Sequence, residues 1–356
     1  MPLRAISPAG DNVHAFEYDS TAWLQLKTEY RAIGLRMPCC EADAIPKTSR
    51  RGTAFFAHAR KGDCTTAPES DEHLYCKYIV AKAVQLAGWR AITECNGQTP
   101  EGEEWIADVH CEKGASRIAL EIQMSQQTDE EMQYRQERYR KAGVRGAWFL
   151  SSAIRREPIA HNRDVPAFRL APVSLDRTPE LLDFQVPLDE FVVGMLTRRL
   201  KWVVLERNQP VHIECMKDTC WACKKAVLQV YGHITNIEIG EAPPERWIER
   251  YYTEASMSAD LEAVLEEVTN DQLKAVGLNT IMKRRLVRGK QTHWPYCNQC
   301  VHCGAPQDNH FVGERLRAAE ADIDSGDLLG LVPINRMIQL PGRWVFDPRT
   351  EDTAEG

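Results

Sequence analysis

The sequence predicts an α/β protein: a mixed sheet flanked by helices in the first half, and a cysteine-paired region with a helical insertion in the second. Two observations carry this. Residues 70–152 read as helix, three strands, helix, strand, and six of the twelve cysteines fall in two tight groups, CMKDTCWAC and CNQCVHC.

Residues 1–60 read as short strands around one helix, DSTAWLQLKTEY (19–30), with Asp19 or Ser20 as its cap. A turn-rich stretch leads into TAFFAHARKGDC, a short aromatic strand carrying His58. In PESDEHLYCKYIVAKAVQLAGW, Ser70, Asp71 and Glu72 are start signals and Gly88 is a stop. Leu74, Ile79, Ala83 and Leu86 keep helical spacing, so 70–87 is a helix. RAITEC (90–95), WIADVHCE (105–112) and SRIALEIQMS (116–125) are three strands, the last two joined by the KGA turn. Thr128 caps the helix TDEEMQYRQERYRKAG, with acids in its first turn and bases in its last, and GAWFLSS (146–152) is a further strand. A strand and an amphipathic helix follow within 181–206, helix formers fill 256–285, GERLRAAEADI (313–323) is a late helix, and RTEDTAEG is a polar tail.

Composition bounds the function. At 356 residues and 43% hydrophobic the chain can bury a core and divide into two or three domains. No apolar run reaches membrane-spanning length and the first residues lack a signal peptide's apolar core, so a cytoplasmic protein is expected, without a membrane partner. A net charge of −7 disfavours a protein that coats DNA by general basicity, while local basic patches such as MKRRLVRGK (282–290) keep nucleic acid open.

Hydrolysis of a phosphodiester with Mg²⁺ or Mn²⁺ needs hard oxygen ligands held rigidly. Asp108 on one strand and Glu121 on its antiparallel neighbour meet that need. Gln123, two residues further, points to the same side as Glu121, and the Ile122 carbonyl is expected to add an oxygen. This layout resembles the PD-(D/E)xK nuclease superfamily, which implies a restriction-endonuclease-like core. The strings FFAHA, SDEHLYCKYIVAKAV, ADV, EIQMSQQTDEE, R-x-x-x-Y and GAWFL resemble CoiA-like competence proteins over about residues 15–155. In that family the Glu-x-Gln-Ser form is ordinary, so Gln123 in place of lysine is a family trait. The family often shows Cys-x-x-Cys before the aromatic-His string, where this chain has adjacent Cys39 and Cys40.

The resemblance implies a divalent-metal-dependent DNA endonuclease. Asp108 and Glu121 would bind Mg²⁺, Glu72 would add a ligand, and Gln123 would orient water. Lys77 or Arg135 would supply the missing charge, His73 and His58 would contact phosphate or carry protons, and Arg135 with Tyr139 would hold DNA phosphate. The strand state of the DNA stays open, and recombination proteins are further expected partners. The rival readings are a non-catalytic DNA-binding or recombination accessory protein and a zinc-ribbon interaction module.

Cys220-x-x-Cys223 and Cys300-x-x-Cys303 have the spacing of knuckles that grip one structural Zn²⁺, with Gly304 freeing the turn after the second. Cys297 with Cys300 makes an equally good knuckle, and Cys215 is a spare on the first side. The expected organisation is an N-terminal β-rich region (1–65), a nuclease-like core (66–155), and a linker and helix (156–210). A zinc-ribbon region with helical insertion (211–312) and a C-terminal helix and tail (313–356) complete it.

Overall fold

The structure, a computed structural model, describes residues 2–60, 64, 69–154, 159, 162–174, 177–204, 208–238, 248–254, 260–288, 290–321, 329–339 and 342–347. The tail RTEDTAEG lies outside these. The chain forms two units, one of residues 1–203 with 342–356 and one of 204–341. Among the described residues no helix is long and apolar enough to cross a membrane.

The first unit opens with the hairpin β1 (Arg4–Ile6) and β2 (Asn12–His14), then α1 (Ser20–Ile33), and the hairpin β3 (Ala44–Thr48) and β4 (Ala54–His58). Asp19 caps α1 by accepting from the Ala22 amide. Then come α2 (Asp71–Leu86), β5 (Arg90–Gln98), β6 (Glu104–Lys113), β7 (Ser116–Gln123), α3 (Asp129–Lys141) and β8 (Arg145–Ser151). The start signals act as read: Ser70 accepts from the His73 amide, and Thr128 forms a reciprocal capping box with Glu131.

The segment expected as linker and helix contributes β9 (Ala167–Leu170), β10 (Glu180–Leu181), β11 (Val186–Pro187), α4 (Leu188–Leu196) and β12 (Leu200–Val203). Its first three strands extend the sheet to seven, in the order β11-β10-β9-β8-β7-β6-β5. Pairing is antiparallel from β5 to β7, parallel from β7 through β8 to β9, and antiparallel beyond. The sheet is thus mixed and flanked by helices. One face packs Leu120, Ile122 and Phe149 against Leu74, Val80 and Val84 of α2 and Phe191 of α4; the other packs Ala119 and Trp148 against Met132 and Tyr139 of α3.

β6 breaks this rule. Val109 and Cys111 join the α2 face, whereas Trp105 and Ala107, of the same parity, join the α3 face. Alternation in a strand has a period of two, so the backbone changes sides at Asp108. Opposite it in register on β5, between the pairs Thr93–Val109 and Cys95–Ala107, Glu94 adopts φ +48°.

The second unit contains the antiparallel sheet β15-β14-β13-β20, from β13 (Gln209–Thr219), β14 (Ala226–Glu238), β15 (Ile248–Glu254) and β20 (Leu329–Ile338). Between β15 and β20 lie α5 (Asp260–Glu267), α6 (Asn270–Ala275), β16 (Thr280–Lys283), β17 (Leu286–Arg288), β18 (Gln291–His293), β19 (Tyr296–Gln299) and α7 (Asn309–Ala321). The expected helical insertion is therefore only partly helical: strands occupy much of the stretch between the cysteine pairs. The strand Arg343–Phe346 pairs with β12 in the first unit, where a C-terminal tail was expected.

His14 is buried in the first unit with its ring 4.9 Å from that of Phe16, and burial, aided by the charges of Arg4 and Arg90, lowers its pKa from 6.5 to about 4. A folded value below the unfolded one means that the unfolded chain protonates first as pH falls. The stability of neutral His14 is complete above pH 6.5 and declines toward pH 4. Replacing His14→Phe should flatten the pH dependence of denaturant unfolding in that window. An equally steep dependence in the variant would show that another group is responsible.

Candidate active site and cysteine centres

The sequence places Glu69, His73 and Lys77 four residues apart, on one face of α2 and the turn before it. Lys77 is fully buried, with Nζ 2.6 Å from Glu69 Oε1 and 2.5 Å from Glu94 Oε1. Burial acts to lower its pKa, but Glu94, Glu69 and Asp108 outweigh it and keep the ammonium charged. The unusual backbone of Glu94 aims its carboxylate at this lysine; Oε1 also accepts from the Leu3 amide, and the Glu94 carbonyl accepts from Arg4.

Asp108 lies where β6 changes face. Its Oδ2 accepts from the Ile122 amide at 2.9 Å and lies 3.2 Å from His73 Nε2. The β6–β7 ladder ends at Val109–Leu120, so this side chain continues the strand connection in place of backbone. The Ile122 group brought to Asp108 is its N–H, not the carbonyl expected as a metal oxygen. Burial pushes the Asp108 carboxyl up, but His73, Lys77 and the Ile122 amide together hold it below the usual carboxylate range. Ligand atoms of Glu69, His73 and Asp108 all lie within 4.8 Å of one another, close enough to hold one metal ion. His73 Nε2 and Glu94 Oε2 are buried without an aligned hydrogen bond, which leaves polar capacity at the centre of this group.

Glu121, on β7, is buried and belongs to the α3 side. Arg135 Nη2 lies 2.5 Å from Oε2, the Tyr139 hydroxyl meets Oε1, and the Arg135 guanidinium stacks 4.8 Å from the Trp148 ring centroid. Tyr139 also donates to the Ile106 carbonyl at 2.9 Å. One hydroxyl proton cannot serve both acceptors, and a proton on Glu121 resolves the conflict. Burial and the Asp108 charge push Glu121 up to about 8, against Arg135 and Tyr139.

The predicted residues therefore separate. Asp108 and His73 meet, and Glu69, missed in the sequence because it precedes the helix cap, joins them; extending the four-residue spacing of His73 and Lys77 back one turn finds it. Glu72 turns away, accepting from Arg51 Nη2 at 3.1 Å. Lys77, expected to supply charge to a transition state, is sealed in the core by its two carboxylates. Tyr139, expected on phosphate, is buried and instead positions Glu121. Gln123 donates through Nε2 to Ser125 O and Oγ and lines a cavity of about 450 Å³ with Gln127, Thr128 and Asp129. His58 lies in a different cluster, its Nε2 3.4 Å from Cys39 Sγ.

In the second unit the chosen cysteines converge. Cys220 and Cys303 sulfurs are 3.7 Å apart, those of Cys223 and Cys300 are 3.8 Å apart, and the four form a group that could hold a metal such as zinc. Cys215 bonds to the Gly330 carbonyl, and Cys297 is buried in β19 opposite Met282; neither joins the group. Asn298 bridges Val230 N and O, Trp221 donates to Pro306 O, and Gln307 donates to Cys220 Sγ at 3.4 Å, fixing the two pairs together.

Residues 69–180 match the family model described as competence protein CoiA, nuclease-like domain, which supports a CoiA-like competence protein family. The match runs from Glu69 to Glu180 and includes the residues around Asp108 and Glu121. A nuclease-like domain has nucleic acid as its expected partner. No curated protein matches the chain.

The Glu121 network has an energetic signature. Tyr139→Phe should destabilise the protein by about 1–3 kcal/mol by leaving a buried carboxyl short of a partner. In a double-mutant cycle with Glu121→Gln, denaturant unfolding should show coupling between the two positions. Strict additivity would contradict the contact.

Proposed function

We propose that the CoiA-like domain is a divalent-metal-dependent DNA endonuclease with a PD-(D/E)xK-type layout, and that the four-cysteine centre of the second unit holds structural zinc in a ribbon-like arrangement. The observation that carries the first reading is the meeting of Glu69, His73 and Asp108 in a site short of positive charge. With Glu121 ionised, four carboxylates (Glu69, Glu94, Asp108 and Glu121) face two permanent cations, Lys77 and Arg135. The excess of two negative charges matches one divalent cation, and without such an ion burial favours a proton on Glu121.

Asp108, Glu69 and His73 would hold the ion, which would polarise a phosphodiester oxygen and make bound water more acidic. An imidazole beside two carboxylates suits Mn²⁺ better than Mg²⁺. Lys77 holds the Glu69 carboxylate in position through their ion pair. Arg135 is part-exposed, and turning it toward a substrate phosphate would release Glu121 to the reacting centre. Gln123, which lines the cavity at the start of α3, would orient water. Its amide cannot replace a lysine's charge, a role that falls to Arg135.

A second reading has a specific observation behind it. Glu121 is already satisfied by Arg135 and Tyr139, as in a platform that binds DNA without cutting it. Cleavage assays on single-stranded, duplex and branched DNA with Mn²⁺ and Mg²⁺ separate the two. Asp108→Asn and Glu121→Gln should each lower cleavage by at least about 100-fold while DNA binding persists. Cleavage that survives both changes would defeat the site assignment. A parent protein that binds DNA but cuts none would establish the platform.

A further inference from the structure

The geometry points to another metal site, in the first unit and apart from the residues assigned to DNA cleavage: Cys39, Cys40, His58 and Cys64 as a Cys₃His zinc centre. We propose it on two independent grounds.

The first is the spacing of the ligand atoms. Cys39 Sγ lies 3.8 Å from Cys40 Sγ, 3.7 Å from Cys64 Sγ and 3.4 Å from His58 Nε2, and the four ligand atoms are mutually within 4.8 Å. In a tetrahedron with Zn–S near 2.3 Å and Zn–N near 2.0 Å, the S–S edge is about 3.8 Å and the S–N edge about 3.5 Å. These separations match such edges and far exceed the ~2.0 Å of a disulfide. A thiol–thiol hydrogen bond would explain one close pair, but not four ligand atoms drawn from a turn, a strand end and a third segment.

The second ground is the turn that carries Cys39 and Cys40. In both cysteine pairs of the second unit the same backbone device recurs. The Cys220 amide donates to Lys225 O, the Lys224 amide donates back to Cys220 O, and Lys224 has φ +63°; the Cys300 amide donates to Ala305 O, the Gly304 amide to Cys300 O, and Gly304 has φ +74°. In the first unit the Met37 amide donates to Ala42 O at 2.7 Å, the Glu41 amide donates to Met37 O at 2.9 Å, and Glu41 has φ +58°. Met-Pro-Cys-Cys thus folds as a knuckle whose first cysteine place holds Met37, buried in the core, while Cys40 keeps the last place. Cys39, one residue before it, supplies the thiolate that position 37 lacks. His58 ends β4, opposite Ala44 just beyond the turn, and Cys64 closes the set. Three thiolates and an imidazole are the donors of a closed structural zinc site.

Zinc per chain, measured by elemental analysis on the full-length protein from cells grown without added metal, decides the matter. The parent should hold two equivalents, Cys64→Ser and Cys39→Ser one each, and Cys220→Ser one. Combining Cys64→Ser with Cys220→Ser should leave none. Adding Met37→Cys to Cys39→Ser should recover the lost equivalent, because it restores the first knuckle place; a merely folding-critical cysteine would not be rescued this way. Should Cys64→Ser fail to fold, Cys220→Ser answers alone: one remaining equivalent supports the site. Zinc that disappears with Cys220→Ser and is unchanged by Cys39→Ser and Cys64→Ser would overturn it, whether or not the protein cleaves DNA.

Discussion

A single buried ammonium organises the first unit's site. Lys77 is fully enclosed, and a charge so placed without partners would cost several kcal/mol, so its carboxylates are structural necessities. Glu69 reaches it from the turn before α2. Glu94 reaches it from β5 by adopting a backbone conformation that L-residues seldom take, and the N-terminal strand holds that conformation through Leu3 and Arg4. Opposite Glu94, β6 changes faces, and Asp108 is freed from the regular ladder to meet His73 and the Ile122 amide. The α2 side and the α3 side of the sheet thereby communicate at one point, with Asp108 between Lys77 and Glu121.

Much of this fold was legible because local signals and tertiary packing agree. Ser70 and Thr128 cap the helices they precede, and of the apolar positions read in α2 Leu74 and Ala83 pack in the core, whereas Leu86 is exposed and Val80 and Val84 complete the packed face. Within 156–210 one strand was read ahead of the helix, and the other strands were missed because they are two to four residues long and held by neighbouring strands, so they leave little period in the sequence. The helix formers of 256–285 do build α5 and α6, while β16 at the end of that stretch and the strands beyond it are set by hairpin pairing.

The site was legible in its residue types and less so in its pairings. Asp108 meets His73 while Glu121 pairs with Arg135 on the α3 side, and the change of face at Asp108, which leaves no signal in the letters, determines who meets whom. The family resemblance implied a phosphate contact for Tyr139; one turn of helix beyond part-exposed Arg135, its side chain is instead buried in the core. Glu72 and Glu69 are three residues apart, and a positive partner separates them: Arg51 takes one, Lys77 the other. Such choices between equivalent carboxylates depend on distant residues and carry no local signal.

The knuckle at Met37 bears on how such turns change over time. Its shape is specified by two main-chain hydrogen bonds and one left-handed residue, none of which needs a sulfur at the first position. A scaffold maintained by its peptide groups lets the donor atoms drift along it, one substitution at a time, without passing through an unfolded intermediate form. Recognition by letter spacing then misses the turn, because the main-chain pattern that defines it does not depend on which residue carries the sulfur.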